Sequence, residues 1–292
     1  MNRKEKPFPF IVCYPRSGST LLRMMLDAHP DMAIPPETHF CDLFKFLSSS
    51  GPVTPALRSG LLQKIVQHPR WNDFNLSESE MSASIASVPE GASAGRCFAE
   101  FWKLYAEKQG KRRWGDKTPQ HVICSAEIFS ILPEAHFIHI VRDGRDVACS
   151  VRDSWFGSRM TISDIARGWV DRLSRFDADS QAFRHQTMVV RYEDLVSRPS
   201  ETIADICKFI DIEYDNGMLS YYERARVRLQ ELRDLTVGTG VVSRELRTKI
   251  HKNVLLPPSE GSIGRWRSEL DSASEKIFRD IAGEMQSRLG YY

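Results

Sequence analysis

Hydrophobic positions along this chain fall into two alternating rhythms. Apolar runs of strand length occur at 10–13, just ahead of Pro15, at 135–141 and at 188–192, with a weaker one at 32–34. Between them apolar residues return at helical spacing, and the pattern predicts helices over 94–109, 123–131, 146–151, 163–182, 200–210 and 273–289. A further helix starts after Gly18, where Leu21, Leu22, Met25 and Leu26 share one face. Ser77-x-x-Glu80 has the form of a capping box, and Pro199 suits a first helical turn. Strands alternating with helices predict parallel pairing and right-handed crossovers: an α/β fold with a central parallel sheet flanked by helices. A ligand of such a fold lies beyond the C-terminal strand ends. No repeat or low-complexity linker divides the chain, so residues 1–292 are expected to form one domain. Segment 40–110 is expected to be a mostly helical insertion over the site, contributing to an acceptor pocket.

The join at 10–30 carries the clearest chemistry. A buried strand stops, Pro15-Arg16-Ser17-Gly18-Ser19-Thr20 follows, and a helix begins. Such an order points the unpaired N–H groups and positive dipole end of a helix at a pocket above the sheet edge, where an anion fits. Gly18 permits close backbone approach, Ser17, Ser19 and Thr20 offer hydroxyls, and Arg16 supplies a permanent cation. The loop is not a Walker A motif, because the second glycine and the lysine before Ser/Thr are missing. A plain Ser/Gly turn between strand and helix is the bland alternative.

A second strand, 135–141, delivers Arg142 to its C-terminal end; Asp143-Gly144 turns the chain, and the next helix brings Ser150 back toward the same place. A guanidinium there can grip a second phosphate bidentately, or can form a surface salt bridge with Asp143 or Asp146.

Taken together, these segments resemble the sulfotransferases that use 3′-phosphoadenosine 5′-phosphosulfate (PAPS). Residues 15–20 look like the family's 5′-phosphosulfate loop. The arginine, with Leu26-Asp27-Ala28-His29-Pro30 downstream, is closer to the tyrosylprotein and bacterial branches than to the cytosolic animal enzymes. Arg142 and Ser150 occupy the positions that bind the 3′-phosphate. Glu37, in Pro35-Pro36-Glu37-Thr38-His39-Phe40, matches the glutamate that the resemblance makes the catalytic base; helix capping is its structural alternative. His39 is either a second acid/base group or an ordinary packed histidine. Lys117, in Trp114-Gly115-Asp116-Lys117-Thr118-Pro119, resembles the lysine that contacts the sulfuryl group and bridging oxygen. Arg191-Tyr192-Glu193-Asp194-Leu195 also resembles the family, in a structural role. Gly261-Ser262-Ile263-Gly264-Arg265-Trp266 resembles the nucleotide loop, but Ser259-Glu260 stands where cytosolic enzymes carry Arg-Lys; Arg265 either compensates or pairs with Glu260 or Glu269.

The resemblance implies O-sulfation by direct in-line transfer, with Glu37, Arg16 and Lys117 catalytic. Arg16, Ser17, Gly18, Ser19, Thr20, Arg142, Ser150 and Arg265 would bind the co-substrate, and no metal is called for. A P-loop nucleotide kinase or NTPase lacks its Walker lysine here, and a non-catalytic binder of PAPS or adenosine bisphosphate would have no need of Glu37 with Lys117. A third alternative within the fold uses sulfation to prepare a hydroxyl for elimination. Carbohydrate, lipid, phenolic, peptide and polyketide hydroxyls all fit as acceptors, and the pattern sets no oligomeric state.

Composition narrows the partners. Lys+Arg 40 against Asp+Glu 38, with basic residues dispersed, argues against broad nucleic-acid or anionic-membrane binding. Residues 1–9 hold no apolar core of signal-peptide length and no later run has membrane-spanning length, so a soluble, cytoplasmic protein is expected. Six scattered cysteines are read as reduced packing residues, with a disulfide or zinc site as the alternative.

Overall fold

The computed structural model describes residues 6–292, so the N-terminal reading of 1–9 falls in part, at 1–5, outside the described residues. Its strands are β1 (Phe8–Cys13), β2 (Met32–Ala33), β3 (Arg113–Trp114), β4 (Asp116–Lys117), β5 (Ala135–Val141), β6 (Thr187–Arg191), β7 (Leu235–Val237) and β8 (Gly240–Val242). The helices begin with α1 (Ser19–Ala28), α2 (Cys41–Ser48), α3 (Pro55–Val66), α4 (Glu78–Ser87) and α5 (Ala94–Lys108). Beyond these come α6 (Ser125–Ile131), α7 (Gly144–Arg152), α8 (Ile162–Ser180), α9 (Tyr192–Ser197) and α10 (Pro199–Phe209). The last are α11 (Tyr222–Leu229), α12 (Arg244–Lys249), α13 (Trp266–Glu269) and α14 (Ser272–Arg288).

The central sheet is parallel, in the order β4-β1-β5-β6. β1 and β5 pair along their length, with Phe8 opposite Ala135 and Cys13 opposite Ile140, so both strands end at the same rim. Side chains alternate across the sheet. Phe8, Phe10 and Val12 meet Phe44, Phe98 and Trp102 from the helical segment between β2 and β3. Ile11 and Cys13 face Leu22 and Met25 of α1, with α9, α10 and α11 beyond. A third cluster packs α7 and α8 against α14 through Val147, Trp169 and Phe278.

The expected helices over 94–109 and 200–210 appear with ends shifted by at most one residue, and the Ser77/Glu80 capping box is formed. Three expectations change. The strand at 188–192 ends at Arg191 because Tyr192 opens α9. The weak strand at 32–34 shortens to two residues and pairs with β3 outside the central sheet. Cys41 and Cys124, whose Cα atoms lie 5.9 Å apart where α2 meets the turn before α6, are disulfide-bonded; Cys13, Cys97, Cys149 and Cys207 are free and buried. The reading of all six cysteines as reduced therefore needs correction. Among the described residues no helix is long and apolar enough to cross a membrane.

Candidate active site

β1 ends at Cys13 and the loop turns through two left-handed residues, Arg16 (φ 72°) and Gly18 (φ 98°). A methyl group on Gly18 would strike the Tyr192 ring, so this position needs glycine on both steric and backbone grounds. Arg16 bears the cost of its conformation, roughly 1–2 kcal/mol for a non-glycine residue, and Arg142 Nη1 holds its carbonyl at 3.0 Å. The Arg142 guanidinium lies 4.4 Å from the centre of the same Tyr192 ring. No side chain caps the N-terminus of α1, which leaves its first N–H groups free to meet an anion.

β4 runs beside β1, with Lys117 opposite Ile11. The Lys117 side chain is 2% exposed and its ammonium donates to Thr20 Oγ1 (3.2 Å) and Glu37 Oε1 (2.5 Å). The other Glu37 oxygen, Oε2, sits 2.9 Å from His39 Nε2. His39 Nδ1 in turn faces Gln120 Oε1 at 2.7 Å, and Arg70 Nη2 approaches His39 Nε2 at 3.1 Å. Burial by itself would raise the Glu37 pKa, but the Lys117 ammonium and His39 outweigh it and hold the carboxyl well below its usual range. For Lys117 burial dominates and lowers the pKa, with Glu37 pulling it back up.

The residues next to this pair are locked to one another. Thr38 Oγ1 donates to Asp116 Oδ2 (2.7 Å), Thr38 N–H donates to Thr118 Oγ1 (2.9 Å), and Trp102 Nε1 donates to Asp116 Oδ2 (3.1 Å). His121 Nδ1 completes the set at 3.0 Å from Asp116 Oδ1. The segment bearing Glu37 is thus fastened to the strand bearing Lys117.

On the other side of the loop, Arg16 Nε donates to Ser150 Oγ (3.2 Å) and Arg16 Nη2 to the Ile250 carbonyl (3.1 Å). Arg142 Nη2 donates to the Ser262 carbonyl (2.6 Å). The alternative pairing of Arg142 with Asp143 or Asp146 is not formed. Asp143 binds Arg145 (2.8 Å), while Asp146 accepts from the backbone N–H groups of Gly264 (2.7 Å) and Trp266 (3.0 Å). Arg265 pairs with Glu269 (2.7 Å) and Asp153 (2.6 Å), not with Glu260.

Glu37, Lys117, the 15–20 loop, Arg142 and Ser150 therefore form one linked constellation at the C-terminal rim of the sheet, while Arg265 is committed to carboxylates beside it. Two residues beside this constellation escaped the sequence reading, and a third, Asp146, was given there only as a salt-bridge partner for Arg142 but holds the 264–266 backbone instead. Arg70 reaches the Glu37–His39 pair from the helical segment. His251 comes from the segment after α12; burial lowers its pKa to about 3, helped by Lys117 and Arg16 and opposed by Glu37. Among the described residues no His/Cys/Asp/Glu group has the arrangement of a metal site.

The family model described as "Sulfotransferase family" matches residues 7–216. Protein-tyrosine sulfotransferase of Drosophila melanogaster is 25% identical over 305 aligned positions, covering 99% of this chain and 52% of the relative. Nodulation protein NoeE of Sinorhizobium fredii is 27% identical, covering 100% of this chain and 68% of NoeE. The chain thus spans about half the length of the first relative and about two thirds of the second. A solved sulfotransferase domain from the curacin biosynthetic pathway shares the fold, with TM-score 0.59, 19% identity and 99% of each chain covered.

Proposed function

The chain belongs to the sulfotransferase family, and from that membership we propose that it transfers the sulfuryl group of PAPS to an acceptor hydroxyl, leaving a sulfate ester and adenosine 3′,5′-bisphosphate (PAP). The observation that carries this reading is the Glu37–Lys117 contact of 2.5 Å, made by a lysine that also reaches Thr20 of the phosphate loop. A carboxylate and an ammonium at one anion site are what a proton abstraction coupled to departure of a phosphate requires.

PAPS supplies the activated sulfuryl group; the chain's residues position it and balance charge. The loop N–H groups, Ser17, Ser19, Thr20 and Arg16 hold the 5′ end, and Arg142 with Ser150 hold the 3′-phosphate. Lys117 stabilises the negative charge that develops on the leaving phosphate. Glu37 takes the acceptor proton as the nucleophile attacks in line. With a loose transition state, positioning and electrostatics do most of the catalysis. Arg265 was expected to add to the 3′-phosphate site, and its pairing with Glu269 and Asp153 supports a lesser role.

The helices α2–α5 are proposed to roof the acceptor side of a single domain. The acceptor is a carbohydrate, lipid, small-molecule or peptide hydroxyl. The cytoplasmic location expected from the sequence stays part of the proposal, and the Cys41–Cys124 bond is its sharpest challenge, because disulfides persist chiefly in oxidising compartments. Cell fractionation with thiol trapping decides it.

The function is tested by incubating the protein with sulfur-labelled PAPS and a metabolite extract, then following label in products and release of adenosine bisphosphate. Multiple turnovers to a sulfated product are expected. Glu37→Gln should lower turnover by roughly two to four orders of magnitude while PAPS affinity is kept. Binding of PAPS without turnover, or ATP and Mg²⁺ in place of PAPS, would count against the proposal.

A further inference from the structure

The two prolines before Glu37 make the start of this segment a short, stiff rod, and the structure shows what grips its base. β2 ends at Ala33, so Ile34 has no strand partner for its backbone. Instead α1 supplies side chains. Asp27 Oδ1 accepts from the Ile34 N–H (2.8 Å), and Arg23 Nε donates to the Ile34 carbonyl (3.0 Å). Both are buried, at 4% and 3% exposure. Pro35 and Pro36 then have fixed φ and no N–H to bond, so displacement of Ile34 passes to Glu37 with little slack.

The grip is itself braced. Arg228 Nε contacts Asp27 Oδ2 (2.7 Å) and Arg228 Nη1 contacts Glu231 Oε1 (2.5 Å). The Tyr105 hydroxyl donates to Glu231 (3.0 Å), and Arg23 Nη2 reaches Glu231 Oε2 (3.4 Å). Two guanidinium and two carboxylate groups are thereby matched in a buried cluster, the condition under which buried ions persist. α1 is the helix whose N-terminus forms the phosphate loop. One helix therefore fixes the anion site at its first turn and the Glu37 segment at its second and third.

We propose that Arg23 and Asp27 are positioning residues that act through Ile34 to register Glu37 against Lys117 and the phosphate loop. The inference rests on Glu37 being the base. Arg228 Nη2 also reaches the Ile34 carbonyl, at the longer distance of 3.4 Å, whereas Glu231 shares the cluster without touching Ile34 and so serves as the control.

The test compares Arg23→Met, Glu231→Gln, Glu37→Gln and the Arg23→Met/Glu37→Gln double variant, each assayed for PAP affinity, thermal midpoint and single-turnover sulfuryl transfer. Arg23→Met is expected to slow transfer by roughly 10- to 100-fold with PAP affinity within about 3-fold, since misplacement by about an ångström has that scale of effect. Glu231→Gln is expected to lower the thermal midpoint while transfer stays within about 3-fold. In the Glu37→Gln background Arg23→Met should cost almost nothing more, because a residue acting only through the base has no effect once the base is gone. Fully multiplicative losses, or loss of stability with unchanged transfer, would overturn the positioning role. If Arg23→Met does not fold, Arg23→Lys keeps the charge opposite Glu231 while altering the contact to Ile34, and carries the same cycle. Wild-type transfer in Glu37→Gln alone would overturn the base assignment instead, which separates the two failures.

Discussion

The Lys117 ammonium donates to the Glu37 carboxylate at 2.5 Å, so before the substrates arrive the cation and the base of the proposed reaction occupy each other. The contact keeps Glu37 ionised despite partial burial and keeps a buried lysine paired. It also weakens the base. Drawing Lys117 toward a leaving phosphate relieves Glu37 of its strongest opposing charge at the moment a proton has to be taken.

A difference between two pH profiles follows. The free-enzyme Glu37 pKa is depressed well below 4.5, so its carboxylate form persists through all pH values above that, and kcat/KM should show no Glu37 limb there. In the ternary complex, with Lys117 turned toward the leaving group, the pKa rises, so the acid limb of kcat should sit at higher pH than that of kcat/KM. Stability follows the same sign: the contribution of a depressed carboxyl is complete above its unfolded value of about 4.3 and fades as pH falls through the folded one. Steady-state profiles from pH 4 to 9 check the prediction, and coincident acid limbs would contradict the exchange of partners.

Arg142 is the arginine that the sequence assigns to the 3′-phosphate and Arg265 a candidate addition to it, and their surroundings separate the two. Arg142 donates to two backbone carbonyls, Arg16 and Ser262, neither of which carries a charge, so a phosphate is a better partner than either. Arg265 already faces two carboxylates. Charge-assisted bonds contribute about 1.5–3 kcal/mol net, so Arg142→Ala should weaken PAP binding by roughly 10- to 150-fold. Arg265→Ala should change it by less than about 3-fold. Calorimetry with PAP and with adenosine 5′-phosphate is the check: the Arg142→Ala loss should vanish for the ligand lacking a 3′-phosphate.

How much of this was legible in the sequence depends on the distance over which each feature is encoded. The strand-loop-helix at 8–28 and the strand-turn-helix at 135–152 were readable, because periodicity and turn residues are local signals. β3 and β4 were not: two residues carry no period, although Lys117 rides on one of them. The grip of Asp146 on Gly264 and of Arg16 on Ile250 joins positions 118 and 234 residues apart, which nothing in the local pattern encodes. Arg70 and His251 lacked a recognisable motif for the same reason. The left-handed Arg16 was hidden as well, since this conformation is usually signalled by glycine or asparagine.

The Cys41–Cys124 bond closes a separation of 83 residues across the helical segment. Alkylation of the denatured, unreduced protein should label the four free cysteines and leave two unlabelled until reductant is added. Replacing both bonded cysteines by serine should cost roughly 2–4 kcal/mol, the usual range for a native crosslink. Transfer should remain within about 3-fold of wild type, because Asp116 and Thr118 still hold Thr38 beside Glu37. Six labelled cysteines before reduction would remove the bond.

Asp146 offers the cleanest separation of donor binding from chemistry. Its two oxygens hold the N–H groups of Gly264 and Trp266, and the same loop lends Arg142 the Ser262 carbonyl. Asp146→Ala removes both acceptors without touching Glu37, Lys117 or Arg16. At about 1.5–3 kcal/mol for each charge-assisted bond, the loop should loosen and PAP affinity should fall by at least about 10-fold. At saturating PAPS, single-turnover transfer should stay within about 3-fold, since the base, the lysine and the phosphate loop keep their mutual contacts. Limited proteolysis should cut the variant near 260–266 faster than wild type, with the difference narrowed by added PAP. Unchanged affinity with slowed transfer would mean that Asp146 serves the reacting centre rather than the nucleotide loop.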